Sequence, residues 1–307
     1  MRERIAIIDL GTNTFHLLIA ERKDANTQIL YREKQPVKIG LGGINRGIIT
    51  DEAVRRAVKC LIHFKNILNV WNVTRVQALG TSAMRNAVNG QSIIQKIKTA
   101  TGIDIKLISG EEEAEYIYHG ILSSLDLGME NSLIVDIGGG SVECIIGNRE
   151  NIFWKRSFEV GAQRLLELYH RHDPITWEEV KQLEDYLANS LVPLGDAIRK
   201  LLPVTLVGSS GTFDTLSEIY CIKENIAILP DQKETPLTLV AFYEIHAQLI
   251  SMDRAARLKI PGMIEMRVDM IVVASCLVKY LLDNFKFRNI RVSSYSLKEG
   301  ALARWKN

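Results

Sequence analysis

The sequence has little of what assigns a protein to a class by composition. Its four cysteines, Cys60, Cys144, Cys221 and Cys276, are scattered with no C-x-x-C pair, which excludes a disulfide framework and a cysteine zinc site. Buried reduced thiols are expected instead. A net charge of +2 supplies no long-range field for nucleic acid or a membrane surface, so an anionic ligand has to be held by local groups. The longest apolar segment, in MIVVASCLVKYLLD, is broken by Lys279 well short of the roughly 20 residues that a membrane span needs. The opening MRERIAIID reaches Asp9 after only a short apolar run. The expectation is a cytoplasmic protein with neither a nucleic-acid nor a membrane partner. Familiar nucleotide and metal signatures are also missing. DIGGGSVE has no lysine where a G-x-x-x-x-G-K-[ST] loop needs one, GLGGIN lacks the last glycine of a dinucleotide fingerprint, and no H-E-x-x-H occurs. His170 and His172 in YHRHD come with no further ligand and read as a solvated helix end.

What is present is a chain of 307 residues, 47% hydrophobic and 24% charged, long enough for two domains with a core each. One pattern occurs in it twice. IAIIDLGTNTFHLLIAE (5–21) and LIVDIGGGSVECIIG (133–147) each run from an apolar strand through an aspartate, a branched apolar residue, a glycine, small residues and a hydroxyl into a second apolar run. At a constant offset of 127 residues, Asp9 pairs with Asp136, Leu10 with Ile137, Gly11 with Gly138 and Thr14 with Ser141. Two such corners at the head of two similar halves indicate a duplicated fold.

Between the corners strands alternate with helices. TDEAVRRAVKCLIHFKNILN carries Thr50 or Asp51 as its cap, QSIIQKIKTATG ends on a glycine, and GEEEAEYIYHGILSSL opens on a capping box of Ser109 and Glu112. Later, WEEVKQLEDYLANSLVPLGDAIRKLL reads as helix interrupted near Pro193, and CIKENIAILPDQKETPL as loop with a short strand. LTLVAFYEIHAQLISM and EMRVDMIVVASCLVKYLLDNF read as helices, and IRVSSYSLKEGALARW as a strand leading into a last helix. The alternation predicts an α/β protein with parallel or mixed sheets covered by helices. The expected domains are 1–124 and 125–307, joined in SSLDLGMEN, with the last helix able to pack back on the first.

Three loops, DLGTNT, DIGGGS and GSSGT, combine small residues and hydroxyls in a way that lets backbone N–H groups converge on an anion such as phosphate. GSSGT (208–212) also precedes a helix, whose positive N-terminal end favours negative charge. Asp9 and Asp136 end their strands just before the loops, where carboxylates can hold a magnesium ion beside phosphate. Phosphoryl transfer further needs a group that orients or deprotonates the nucleophile. Glu111, Glu112, Glu113 and Glu143 are the available bases, and Glu111 and Glu113 both border the apolar face of their helix, so spacing does not choose between them.

The ordered set IDLGTNTFHLLIAE, ALGTSAMRNAVN, LISGEEEAEYIYHGI, LIVDIGGGSVECIIG, GSSGT and IPGMIEMRVDMI resembles the successive motifs of the exopolyphosphatase and guanosine pentaphosphate phosphatase family, across essentially the whole chain. The resemblance implies the actin, sugar-kinase and heat-shock-chaperone fold, two duplicated α/β domains around a cleft. It implies Glu113, the glutamate before alanine in SGEEEA, as the base acting on the attacking water. Asp136 and Glu143 fall on acidic positions tied to metal and water, Gly138, Gly139, Gly140 and Ser141 on the phosphate loop, and Arg85 on a phosphate-facing arginine. Asn13, Thr14, Ser210, Gly211 and Thr212 are further expected contacts, and Asp9 a further metal ligand.

The pattern departs near the C-terminus. Where the family commonly reads V-S-D-x-G-x-R-E-G, this chain has VSSYSLKEG, with Ser294, Ser296 and Lys298 in the variant places and Glu299 and Gly300 retained. The sequence stops where longer relatives continue into an additional helical domain, so the resemblance implies the short, two-domain form. The implied reaction is hydrolysis of the terminal phosphoanhydride of inorganic polyphosphate, with magnesium as cofactor. The implied alternative substrate is guanosine pentaphosphate, pppGpp. A non-hydrolytic nucleotide switch or filament subunit and a sugar kinase are the rivals on the same fold, and the acidic SGEEEA helix argues against both. Lys38, Arg46, Arg254, Arg257 and Arg267 are candidates to line a path for the polyanion. The resemblance admits a homodimer, for which MIVVASCLVKYLL is apolar enough to serve as core or interface.

Overall fold

Apolar runs rich in isoleucine and valine make the centres of two sheets. In the computed structural model, which describes residues 2–23, 26–229 and 231–305, the chain divides into two compact units. The first takes the residues up to Glu113 and the stretch from Arg304; the second is Ala114–Ala303.

The first unit contains β1 (Arg2–Leu10), β2 (Phe15–Lys23), β3 (Asn26–Gln35), α1 (Asp51–Val70), β4 (Arg75–Gly80), α2 (Ser82–Asn86), α3 (Gly90–Thr101), β5 (Ile105–Leu107) and the first turn of α4 (Gly110–Leu122). Its sheet has the order β3-β2-β1-β4-β5. β1, β2 and β3 form an antiparallel meander, and β4 and β5 add parallel to β1. Ile5, Ala6, Ile7 and Ile8 are all buried, the continuous apolar signature of a strand covered on both faces. β3 comes from NTQILYREKQ, a polar stretch with no strong apolar run, which suits its place at the sheet edge. The expected caps form: Thr50 Oγ1 accepts from Ala53 N, Gly102 closes α3 in the left-handed conformation, and Ser109 and Glu112 complete their box.

The second unit holds the remainder of α4 and continues with β6 (Ser132–Ile137), β7 (Val142–Gly147), β8 (Ile152–Phe158), α5 (Ala162–Tyr169), α6 (Trp177–Ser190), α7 (Val192–Leu201), β9 (Thr205–Ser209) and α8 (Ser210–Lys223). There follow β10 (Glu234–Thr235), α9 (Leu239–Ser251), α10 (Arg254–Arg257), α11 (Met270–Asn284), β11 (Asn289–Ser293) and α12 (Leu297–Ala303). The strand order β8-β7-β6-β9-β11 repeats the order and the directions of the first sheet, and β10 adds an antiparallel edge. The duplication seen in the two corners therefore extends to both sheets. Met270 to Val278 of α11 are buried in this unit's core, so that apolar run is core.

α12 lies in the second unit, while the chain from Arg304 clusters with the first. α12 meets α4 backbone to backbone. A Cβ on Gly300 would stand 1.6 Å from the Tyr116 carbonyl oxygen, and one on Gly120 would stand 2.1 Å from that of Ser296. Trp305, beyond α12, lies under the Arg75 guanidinium at 5.2 Å.

All four cysteines are buried and unpaired. Burial pushes Cys60 and Cys276 up to about 12, raises Cys144 further, and raises Cys221 as well. Thiolate is the reactive form. Ellman's reagent at pH 8 is therefore expected to find no fast-reacting thiol in the native protein and four after denaturation; a native thiol reacting within seconds would contradict this burial.

Candidate functional site

In both units the carboxyl ends of the parallel strands are level, the edge at which ligands of open α/β sheets bind. In the second unit the register sets Ser293 beside Ser209, Ser209 beside Asp136, Asp136 beside Glu143, and Glu143 beside Ser157. Residues paired in this way point to one face of the sheet. The result is a row of hydroxyls and two buried carboxylates across its tip. Asp136 Oδ2 accepts from Ser209 Oγ and Ser210 Oγ, each at 2.7 Å, and from Ser296 Oγ. Glu143 Oε1 accepts from Ser141 Oγ and Ser157 Oγ, each at 2.7 Å. Hydrogen bonds to charged groups are worth about 1.5–3 kcal/mol each, so these carboxylates are held firmly in place.

Beside this row lies the glycine corner. Gly138 N donates to Ser141 O at 3.0 Å and closes the turn. The carbonyls of Gly138, Gly139 and Gly140 accept from Ala162 N (2.9 Å), Gln163 N (2.9 Å) and Gly161 N (3.3 Å), and Arg164 Nε adds a bond to Gly140 O at 2.8 Å. With the carbonyls drawn toward the start of α5, the amides of Gly139, Gly140 and Ser141 keep no hydrogen-bond partner among the described residues. Three such amides form an anion nest. Gly161 makes the approach feasible, because a Cβ there would sit 2.4 Å from Gly140 C and 2.5 Å from Gly139 C. Sequence reasoning missed Gly161 and Arg164. A glycine just before a helix, soon after the third strand of the repeat, is the signal that could have found them.

The first unit repeats the device. Gly11 N donates to Thr14 O at 3.1 Å, Lys38 N to Asn13 O at 2.8 Å, and Gly40 N to Thr12 O at 3.0 Å. In both units the donors to the corner include the third and the fifth residue after the third strand. Lys38, expected on an anion path, thus serves the corner through its backbone. Asn13 and Thr14 are buried in the corner, and Asp9 pairs in register with His16.

The third loop forms the last two residues of β9 and the first turn of α8. Ser210 sits at φ +67°, left-handed backbone that costs a serine about 1–3 kcal/mol and here turns its hydroxyl onto Asp136. Thr212 is buried in that turn. Gly211 lies under Arg267, whose Nη2 would be 2.0 Å from a Cβ at that position. The half-buried Arg267 side chain makes no hydrogen bond or ion pair among the described residues. Burial pulls its guanidinium below the ordinary arginine value, opposed by the charges of Asp214 and Asp136.

In the first unit the structure distinguishes the three helix-opening glutamates. Glu112 is committed to the capping box and to Lys106 Nζ at 2.9 Å, and Glu111 is exposed. Glu113 is buried and accepts from Arg85 Nη1 at 2.9 Å, the same nitrogen donating to Ile108 O at 3.0 Å. A helical wheel does not show this, because Arg85 arrives from α2. Leu10, Gly80 and Leu107 are level in register, so the first corner, α2 and α4 all start from one edge.

Other expectations change. Arg257 is buried, with Nε on Val268 O at 3.0 Å and Nη1 on Asp173 at 2.7 Å, and Arg254 pairs with Asp269 at 3.1 Å; both tie local loops together, leaving little for a polyanion. Arg46 is exposed and donates to Gly42 O. Lys298 lies 3.3 Å from the buried Glu299. The side chain of His170, just past α5, is largely covered and lies 3.6 Å from Asp173, whereas His172 is exposed and paired with Glu179 at 2.9 Å.

Two α/β units of one strand order, each with a tethered corner at the carboxyl edge of its sheet, make a duplicated α/β architecture, as the resemblance implies. Residues 18–307 match the Ppx/GppA phosphatase family, and the chain belongs to that family. It is similar to an exopolyphosphatase from Cytophaga hutchinsonii, with 44% identity and a TM-score of 0.95 over 98% of this chain and 97% of that one. A family member from Aquifex aeolicus superposes with a TM-score of 0.78 at 25% identity, covering 98% and 97%. The guanosine-5'-triphosphate,3'-diphosphate pyrophosphatase of Photobacterium profundum is 29% identical over 295 residues, 96% of this chain and 58% of that protein.

The close approach at Gly161 generates a direct test. Gly161→Ala pushes on the glycine corner and is expected to lower phosphatase turnover roughly a hundredfold, as displacements near 1 Å do, with the circular dichroism spectrum retained. Gly128→Ala, at a glycine with φ +66° where an added Cβ would meet nothing within 4 Å, is the control for backbone strain away from the site. Parental turnover in Gly161→Ala would show that the corner does not depend on this contact.

Proposed function

We propose that the protein is an exopolyphosphatase that removes the terminal phosphate of inorganic polyphosphate by water attack. The observation that carries this reading is the buried pair Asp136 and Glu143, each with one oxygen tied down by hydroxyls, beside three uncommitted amides of the glycine corner. The name of the Cytophaga hutchinsonii relative supports the choice of substrate.

Among the described residues no group of three or more histidine, cysteine or acidic side chains could cage a metal. Two hard carboxylates fit a cation that keeps several waters and takes its other ligands from phosphate, which is the habit of Mg2+. Held by Asp136 and Glu143, Mg2+ would supply charge neutralisation at the terminal phosphate. Glu113, oriented by Arg85, takes a proton from the attacking water. The water oxygen bonds to the terminal phosphorus, and the bond to the bridging oxygen breaks. Orthophosphate and a chain shorter by one unit leave. The amides of the glycine corner and the positive charge of Arg85 stabilise the charge that develops. Asn13, Thr14, Ser210, Gly211, Thr212 and the uncommitted Arg267 are our further phosphate contacts.

The pppGpp 5′-phosphohydrolase reading rests on the same groups and is favoured by the name of the Photobacterium profundum relative. No described helix is long and apolar enough to cross a membrane. Glu113→Gln is expected to lose about 10²–10⁴ in turnover with substrate binding retained, as measured by phosphate release and by equilibrium binding. Near-parental turnover in that variant rejects the assignment. Chelation by EDTA is expected to abolish phosphate release and added Mg2+ to restore it; full activity in EDTA rejects the cation. Phosphate release from polyphosphate compared with pppGpp, at equal terminal-phosphate concentration, decides between the substrates: faster release from polyphosphate is expected, and faster release from pppGpp supports the alternative.

A further inference from the structure

Each corner has an arginine behind it. At the offset of 127, Gly140 of the second unit corresponds to Asn13 of the first, and both carbonyls are clamped by backbone amides, Gly140 O by Gly161 N and Asn13 O by Lys38 N. Arg164 Nε reaches Gly140 O directly, whereas in the first unit the guanidinium acts one peptide further back. Arg56, on α1, donates from Nε to Val37 O and from Nη2 to Lys38 O, each at 2.8 Å, and its Nη1 pairs with Glu52 at 3.0 Å. Val37 O and Lys38 N belong to one peptide group. In a trans peptide the carbonyl and the N–H point opposite ways, so this group is held by Arg56 on one side and grips Asn13 O on the other. The next peptide repeats the relation: drawing Asn13 O toward Lys38 turns the Thr14 N–H the opposite way.

Resting on the reading of Asn13 and Thr14 as phosphate contacts, we propose that Arg56 is a positioning residue that fixes the first corner's grip on phosphate through the peptide joining Val37 to Lys38. Lys38 stands at φ +50°, left-handed backbone that a lysine keeps only where its surroundings hold it there. Two side-by-side N–H donors of one rigid guanidinium suit that task, and a lysine ammonium at position 56 would not reproduce the fork. Donation into Val37 O also polarises the peptide and strengthens Lys38 N–H as a donor to Asn13. Lys38 O has a second donor in Leu41 N at 3.2 Å, so the bond to Val37 O is the one for which Arg56 has no substitute among the described residues. Its loss strips that carbonyl of its partner and frees the strained peptide to rotate.

The test uses the full-length protein and phosphate release from polyphosphate and from pppGpp, comparing the parent with Arg56→Ala, Arg56→Lys and Arg55→Ala. Arg55 neighbours Arg56 on α1 and is exposed, so its variant removes an equal charge and no bond to the corner. Arg56→Ala is expected to raise KM roughly tenfold, the scale of one charge-assisted hydrogen bond, with kcat changed less, because the pair of Glu113 with Arg85 stays in place. Arg56→Lys is expected to fall between, and Arg55→Ala to match the parent. The Arg56 side chain is 31% exposed, so methylguanidinium can enter the space that alanine leaves, and it is expected to restore KM where methylammonium at equal concentration does not. Circular dichroism confirms folding, and Arg56→Met, which keeps the stem and removes the donors, replaces Arg56→Ala if alanine does not fold. Three results overturn the role of Arg56 and leave the phosphatase reading standing: parental KM in the folded Arg56→Ala or Arg56→Met protein, the same rise in Arg55→Ala, or a rise in Arg56→Ala that methylguanidinium reverses no better than methylammonium. A parent that releases phosphate from neither substrate overturns that reading and this inference with it.

Discussion

The structure depends on a backbone clamp that holds each hairpin corner from behind. A corner of small residues has as many carbonyls as amides, and an anion is bound only if the two are segregated. Here the carbonyls of residues 138–140 are taken by the amides that begin α5, and those of Thr12 and Asn13 by the amides of Gly40 and Lys38. The glycines are therefore not merely a turn. Their lack of side chains lets a second piece of backbone approach close enough to take the carbonyls, as the space around Gly161 shows. Residues with no side-chain chemistry thereby determine which way the reactive amides face.

The acidic groups are built on the same logic of positioning by register. Asp136, Glu143, Ser209, Ser157 and Ser293 come from five adjacent strands, yet ladder pairing places them in one row. Each carboxylate is then tied through one oxygen by hydroxyls, which orient it without adding charge. Around the glutamates of α4 a comparable division of labour holds. Glu112 satisfies the helix end, and Glu113 is held by Arg85. A phosphatase of this design owes its site to sheet geometry and helix ends, which is compatible with a net charge near zero.

Much of this was legible in the sequence because it is local or repeated. The offset of 127 between Asp9 and Asp136 exposed the duplication, and the shared strand order follows from it. Caps at Thr50, Gly102 and Ser109 are encoded within a few residues of where they act. Features that required two distant segments were not legible. The pairing of Glu113 with Arg85, the clamp by Gly161, the seating of Gly211 under Arg267 and the reach of Ser296 to Asp136 all depend on tertiary contacts across long stretches of chain. β3 escaped notice because an edge strand has no need of an apolar run, and the burial of His170 and Arg257 because each becomes tolerable only in the presence of the other elements packed around it.

The central claim is that water attacks the terminal phosphorus of a polyphosphate chain. Digestion of polyphosphate in water enriched in 18O, with the products read by 31P nuclear magnetic resonance or mass spectrometry, tests it most directly. The account predicts one solvent oxygen in each released orthophosphate and none in the remaining chain. Solvent oxygen in the shortened chain, or unlabelled orthophosphate, would contradict it.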